Sequence, residues 1–376
     1  MEEWKEYKLG DILNFRRGHD LPKTSMRNGD IPVAGSNGII GYHDTATPMS
    51  PCITIGRSGN VGTPYIYDKC WAHNTVLYID DYKGNDPLYL YYLLKTLPLA
   101  SFGGGSAVPT LNRNHIHPIN IKHTPNLETQ RQIASILSSL DDKIELNRKI
   151  NANLEAQAQA LFKSWFVDFE PFKDQPFIES ELGMIPVGWR VGNIYEYIDV
   201  IYGAPYKSSL FNENKDGLPL IRIRDLKTNA PQFYTPELLP NTEYINAGDI
   251  VAGMDAEFIP YVWLGERGVL NQRCCKFKGK NDAISNYYIR FLIKPELEYV
   301  QSYKTGTTVS HLGKSDIDRF KLMTPPLDVV LAFSERVNPM KEEVVNRAKE
   351  SRRLASLRDA LLPRLMSGEL KVNEVI

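Results

Sequence analysis

LETQRQIASILSSLDDKIELNRKINANLEAQAQALFKSWFVDFEPF, residues 127–172, decides the fold. Forty residues pass without glycine, and proline is absent until Pro171. Ile133, Leu137, Leu140, Ile144, Asn147, Asn151, Leu154, Ala158, Leu161 and Trp165 follow one another in alternating steps of four and three. That spacing is the seam of a coiled coil, and it predicts one helix about 50 Å long at ~1.5 Å per residue. The pattern returns 200 residues later at Phe333, Val337, Met340, Val344, Arg347, Ser351, Leu354, Arg358, Leu361 and Leu365. Pro339 falls inside this second run and is expected to kink it or delay its start. Both seams are polar in the middle, at Asn147 and Asn151 in one and Arg347 and Ser351 in the other. An antiparallel pairing of the two helices within the chain sets polar centre against polar centre, as buried polar groups require. The alternative is that each helix packs only on its own globular domain.

Outward from the helices, the chain is written twice. Residues 1 to about 125 read as short strands and turns, with strands at 31–33, 53–55, 65–67 and 76–79 and one helix around 88–97. Residues 186 to about 326 have the same texture. The strand-like opening WKEYKLGDILNFRRG (4–18) recurs as WRVGNIYEYIDVIYG (189–203), an offset of 185. GSAVPTLNRNHIHPINIKHTP (from Gly105) is echoed by GTTVSHLGKSDIDRFKLMTPP (from Gly306), with Val108/Val309, Leu111/Leu312, Ile116/Ile317 and Ile121/Leu322 at an offset of 201. A period this long exceeds that of solenoid repeats and means tandem domains. The expected fold is α+β: globular domains at 1–126 and 186–326, long helices at 127–172 and 327–376, and a linker at 173–185. The sixteen-residue drift between the two offsets lies inside the globular domains.

Composition sets further limits. The chain has 376 residues, 42% hydrophobic and 24% charged, values ordinary for a soluble globular protein. No apolar run has the length of a membrane span, and the acidic start is no signal peptide. Cys52, Cys70, Cys274 and Cys275 lack CxxC spacing, which points to free thiols and a cytoplasmic protein. A net charge of −1 excludes a whole-chain electrostatic grip on nucleic acid, so any DNA contact must come from local patches or be shared with partners.

Particular phrases carry a resemblance. Residues 127–172, GMIPVGWRV (183–191) and LRDALLPRLMSGEL (357–370) resemble the conserved regions of type I restriction–modification specificity subunits. IPVAGSNGIIGYHD (31–44), ITIGRSGNVGTPYI (53–66), GDIVAGMD (248–255) and VLNQRCCKF (269–277) are similar to those subunits' target recognition domains. The resemblance spans nearly the whole chain in the family's order. It implies two recognition domains, each reading half of a bipartite, asymmetric double-stranded DNA site. The helices would serve as a ruler and as the dock for two methyltransferase subunits, through which restriction subunits join. It implies no catalytic activity and no cofactor. The residues themselves agree: a helix pair of ~50 Å spans about 15 base pairs at ~3.4 Å each. Two unlike domains related by a pseudo-two-fold would read a split asymmetric word rather than a palindrome.

Catalytic motifs fail on inspection. FGGGS (102–106) has serine where a methyl-donor loop needs its last glycine, and TPPL (324–327) has the wrong outer residues for a methyltransferase motif. Gly313-Lys314-Ser315 ends like a phosphate loop, but the glycine five residues earlier is replaced by Thr308. Its counterpart is Asn112-Arg113-Asn114, so both read as framework. His115 and His117 alternate on an expected strand near His123, without the carboxylates or thiols of a metal site. Cys274 and Cys275 read as core, one side chain on each face of a strand.

Base readout needs Arg, Lys, Asn, Gln, Ser or Thr on exposed loops. In the first domain the candidates are Arg57, Ser58 and Asn60 in GRSGNVG, whose glycines permit close approach, with Arg16, Arg17, His19 and Lys23 suited to phosphates. In the second they are Arg222, Arg224 and Lys227 after a strand, Tyr206-Lys207-Ser208 after Gly203, and Arg273. Arg113, Lys304 and Lys314 would touch the DNA backbone or join domain to helix. Leu146, Ile150, Leu161, Phe162, Trp165, Phe166, Leu361, Leu362 and Leu365 exceed what one seam consumes. That surplus marks a partner-docking face or contact with the recognition domains. Two rival readings stand beside this one: a single-chain DNA-modifying enzyme, and a coiled-coil scaffold with no DNA role.

Overall fold

The computed structural model describes residues 4–104, 109–304 and 310–375. Gly105, Ser106, Val108, Gly306, Thr308 and Val309 lie outside them. Two compact units emerge, residues 1–143 with 353–376, and residues 144–352. The helices run Leu127–Phe166 and Leu327–Met366, 40 residues each. At ~1.5 Å per residue each is about 60 Å long, more than the seam alone indicated. Pro339 neither delays nor ends the second helix, which starts at Leu327 and stays helical through it.

In the first unit a four-stranded antiparallel sheet has the order Asn14–Arg17, Val76–Asp81, Cys52–Gly56, Pro64–Tyr67. A smaller sheet holds Gly38–His43, Ile31–Gly35 and Trp71–Ala72. The opening is not one strand: Lys5–Lys8 is followed by a helical turn, Leu9–Ile12, before Asn14–Arg17 begins. Leu9 and Ile12 are both buried, so the turn is held by packing rather than by length. The core joins Phe15, Ile53, Leu77 and Tyr89 to Ile133 and Leu137 of the first long helix and Leu365 of the second. Here the helices are also tied by an ion pair between Asp141 and Arg358.

The second unit repeats the plan: Ile198–Tyr202, Cys274–Gly279, Ile250–Gly253 and Pro260–Val262 form the four-stranded sheet. Its smaller sheet is Tyr234–Thr235, Leu218–Ile221, Gly268–Leu270 and Tyr244–Ile245. Cys274 faces the cluster around Trp263 while Cys275 faces the main core, one on each side of their strand. Among the helices, Asn147 is fully buried: its Nδ2 donates to Glu350 (2.7 Å) and Ser351 Oγ (3.2 Å), and its Oδ1 accepts from Arg347 (3.1 Å). Asn151 Nδ2 donates to the Val344 carbonyl at 3.2 Å. Numbers therefore fall along one helix as they rise along the other, the antiparallel register the polar seam demanded. Polar against polar pairs most of this centre, although Asn151 Oδ1 and Arg347 Nε are buried without a partner, and it disfavours any shifted register. No helix among the described residues is long and apolar enough to cross a membrane.

His115 and His117 do not lie on a strand. They sit on and just after the short helix Arg113–Ile116, which is capped by Asn112 and places the two side chains a hundred-degree step apart per residue. His117 Nε2 accepts from the Phe15 N–H at 3.1 Å, and burial with the charges of Arg113 and Lys83 lowers its pKa. His123 is 2% exposed, edge-on to Tyr7, and burial holds its pKa down to about 4. The folded state thus keeps this ring neutral, while the unfolded chain takes up the proton near pH 6.5. Stability should be intact above pH 6.5 and fall as pH drops toward 4, by about 3 kcal/mol from this group. Denaturant midpoints measured across that window should lose part of their slope in His123→Gln, and an unchanged slope would refute the assignment.

Candidate nucleic-acid interface

Each unit carries an arginine-lined pocket that takes in the loop after the third sheet strand, through Arg57 in the first and Asp255 in the second. In the first unit Gly56 ends the strand; Arg57 N–H donates to the Thr75 carbonyl (2.8 Å), and Leu111 N–H donates to the Arg57 carbonyl (2.7 Å). In the second, Met254 N–H donates to the Arg273 carbonyl (2.8 Å), and Leu312 N–H donates to the Met254 carbonyl (2.7 Å). Ser58 bridges Thr110 in one, and Asp255 bridges His311 in the other. The repeated glycines explain themselves here. A Cβ on Gly18 would lie 2.0 Å from the His73 carbonyl oxygen, and one on Gly203 would lie 2.2 Å from that of Asn271. Both strands cross a neighbouring backbone too closely for any side chain.

The first pocket encloses about 380 Å³ and is lined by Arg16, Arg17, Arg57 and Arg113, with Thr110 and Asn112. Three of the four arginines were expected at a DNA surface, and Arg113 joins them. Arg113 Nη1 donates to the Phe15 carbonyl (3.1 Å), which turns the guanidinium toward the pocket's strand. Among the described residues no carboxylate pairs with Arg16, Arg57 or Arg113, and only Asp20, 4.0 Å away, approaches Arg17. Burial and the Arg17 charge push the Arg57 guanidinium below its ordinary pKa. Like charges held together without counter-charge make a site for an anion. Ser58 contributes through its backbone bridge, and Asn60 stands on the exposed turn beside it, its Oδ1 accepting from Thr63 Oγ1 at 3.3 Å. Lys23 lies on a separate exposed turn, Lys23–Ser25, and His19 packs against Trp71 and Tyr78.

The second pocket, about 320 Å³, is lined by Arg222, Ile223, Arg224, Asp255, Asn271 and Arg273. Here the arginines are largely compensated. Arg222 lies over the Phe233 ring and pairs with Asp225 at 3.2 Å, so it also braces the fold. Arg273 pairs with Asp255 at 2.9 Å. Arg224 is exposed, and Lys227 follows the short helix Ile223–Leu226 without lining the pocket. Lys207 is exposed elsewhere on the surface. Its neighbour Tyr206 is no surface reader: it is 5% exposed, with its hydroxyl donating to Thr242. Lys304 is turned onto Asp316 as a framework contact; Gly313 stands at the N-cap of the short helix Lys314–Ile317, its N–H donating to Asp316, where Asn112 caps Arg113–Ile116 with its side chain. Sequence reasoning missed Asp255, Asn271 and His311. The 201-residue register pairs Thr110 with His311 and was the one signal that could have found it, whereas nothing in the spacing marked Asp255 or Asn271.

Most of the surplus apolar face packs against the globular bodies, one of its two expected uses. Phe162 and Phe166 are buried in the second unit's core, with Phe166 ring centroids 5.0 Å from Phe333 and 5.2 Å from Tyr288. Trp165 packs on Phe172 and Phe333, and Leu161 joins the same cluster. Leu361, Leu362 and Leu365 pack into the first unit's core. Long seam-adjacent aromatics are consumed by the globular body beside them, which leaves Leu146 (49% exposed) and the half-buried Ile150 as the open apolar positions of that set. Among the described residues no cluster of three His, Cys, Asp or Glu side chains is arranged to hold a metal.

The family model described as the type I restriction modification DNA specificity domain matches residues 1–156 and again 186–329. A type I restriction enzyme specificity subunit of Methanocaldococcus jannaschii, MjaIX, is 33% identical over 315 residues, covering 76% of this chain and 70% of the relative. The HindI specificity subunit of Haemophilus influenzae is 25% identical and covers 98% of this chain and all of its own length. The crystal structure of a type I S subunit from M. genitalium shares the fold, with a TM-score of 0.61 at 16% identity over 97% of this chain and 96% of that one. With its tandem recognition framework and antiparallel helices, the chain belongs to the type I restriction–modification DNA specificity family.

Proposed function

We propose that the arginine-lined pockets of the two units are the DNA-facing surfaces of two recognition domains, residues 1–126 and 186–326, each reading half of a split, asymmetric duplex site. The helical segments 127–172 and 327–376 set the gap and dock two methyltransferase subunits, and restriction subunits join through these. The chain performs no catalysis; it positions partners so that an adenine in each half-site is flipped out and methylated in the cytoplasm. One observation carries this reading: a backbone framework repeated in both units bears, in each, an arginine-lined pocket of its own composition. One framework with two chemistries is what reading two different words requires.

The net charge of −1 fits shared binding, because partners that clasp the duplex supply further phosphate contacts. The isolated chain should bind duplex DNA weakly, and the complex with its methyltransferase subunits tightly and selectively. Mapping methylated adenines in the genome of the source cell should give one bipartite motif that disappears when the chain is deleted. Tight, sequence-selective binding by the purified chain alone, or a methylation pattern indifferent to its deletion, would contradict the proposal.

A further inference from the structure

The loop after the third sheet strand differs between the two units. Where the first unit has Ser58, the second has Asp255, whose side chain is 17% exposed. Its Oδ2 accepts from Arg273 Nη1 at 2.9 Å, and its Oδ1 lies 2.7 Å from His311 Nδ1. Each carboxylate oxygen thus holds one partner, Arg273 on one side and His311 on the other. The Arg273 side chain is 60% exposed, and with Nη1 fixed on Asp255 its Nε–Nη2 edge is left for a ligand. Asn271 lines the same pocket; its Oδ1 accepts the Arg273 N–H at 3.1 Å, which orients the amide so that Nδ2 can donate to a ligand.

The pocket thus displays hydrogen-bond donors from Arg273, Arg224 and Asn271, and its carboxylate holds Arg273 in orientation. In the major groove, guanine presents two acceptors, N7 and O6. Adenine pairs an acceptor with a donor, cytosine presents a donor, and thymine sets one acceptor beside a methyl group. The two parallel donors of the Arg273 fork match guanine. Charge argues the same way against a phosphate: Asp255 offsets Arg273 and Asp225 offsets Arg222, which weakens the pull on an anion but leaves the directional donors intact. The first pocket, with four arginines and only Asp20 nearby, has the opposite balance.

We propose that Arg273, held in orientation by Asp255, reads a guanine in the half-site recognised by the second unit, with Asp255 as its positioning residue. This rests on the DNA reading above and names the base class for one pocket. The test is selection from a random-sequence duplex library by the chain assembled with its methyltransferase subunits, with the bound fraction sequenced. The wild-type complex should select a split motif with a fixed guanine in one half. Arg273→Ala should relax that one position by roughly 5- to 150-fold while leaving the other half-site's preferences unchanged, which also shows that the chain still folds. Arg273→Lys keeps the charge and loses the fork, so it should relax the same position with the salt dependence of binding unaltered. Asp255→Ala should relax it too, and Asp255→Asn, which retains an acceptor for Nη1, should restore part of the preference.

Three results overturn the assignment alone: a motif unchanged in Arg273→Ala; a uniform loss across all sequences that Arg273→Lys repairs, the mark of a phosphate contact; or a preference indifferent to Asp255→Ala. A wild-type complex that selects no split motif overturns the DNA reading on which the assignment stands.

Discussion

Replacing Arg16, Arg17 and Arg57 together with glutamine should lower the affinity of the assembled complex for duplex DNA at least about 100-fold at physiological salt. The loss should fall equally on cognate and unrelated sequences. The first pocket gathers these guanidinium groups around about 380 Å³ with Arg113, and only Asp20 stands near enough to offset one of them. Each phosphate neutralised releases condensed counterions, so binding falls with salt at a log–log slope of roughly −0.9 per contact. Three contacts removed should therefore reduce that slope by roughly 3. The fold should not suffer, because Arg16 and Arg17 are exposed, and removing Arg17 relieves the charge that depresses the Arg57 pKa. Fluorescence anisotropy titrations across a salt series check both numbers. An unchanged slope would show that the pocket does not meet the DNA backbone, whatever became of the affinity.

The helices were legible because a heptad is a long-range pattern that local accidents cannot erase. Pro339 was misjudged for the opposite reason. A proline removes one backbone donor locally, yet Val337 and Val344 on either side are buried in the pairing, and that packing outweighs the loss. The short elements were not legible. Leu9–Ile12 and Arg113–Ile116 are single turns with too few residues for any period to register, and they form because Leu9, Ile12 and Ile116 are drawn into the core. His115 and His117 were therefore read as alternating along a strand that does not exist.

The candidate site was legible in kind and only partly in place. Arginines at Arg16, Arg57 and Arg273 could be nominated from loop chemistry, but their gathering depends on strand order. Asp255, which decides the character of the second pocket, looked like an ordinary turn residue, since an ion pair across a pocket leaves no trace in linear spacing. The drift between the copies proves more local than the sequence revealed. Ala34 pairs with Ala72 where Ile221 pairs with Leu270, an offset still at 187 (221 − 34). By Arg57 and Met254 it has reached 197 (254 − 57). Ten of the extra residues thus enter before the pocket loop, in the stretch that supplies Arg222 and Arg224 to the second pocket. The copies diverge where the second pocket gains its own arginines.

Phe166→Ala should destabilise the second unit by about 3–5 kcal/mol, whereas Leu146→Ala should stay within about 0.5 kcal/mol of the wild type. Both positions belong to the apolar surplus of the first helix, and the surplus alone does not say which residues dock a partner. Burial separates them. Phe166 is 4% exposed and wedged among Phe162, Tyr288, Phe333 and Trp189, so truncation empties a volume that four rings cannot collapse to fill. Leu146 is 49% exposed and loses little on truncation in the free chain, but an apolar side chain held open on a helix is what a partner helix covers. Denaturant unfolding of the free chain, paired with a pull-down of the methyltransferase subunit by each variant, separates the two roles. Leu146→Ala should unfold like the wild type and capture less partner; Phe166→Ala should unfold early. If Phe166→Ala were as stable as the wild type and failed only in capture, the aromatic end of the helix would be the docking face and its packing against Phe333 incidental.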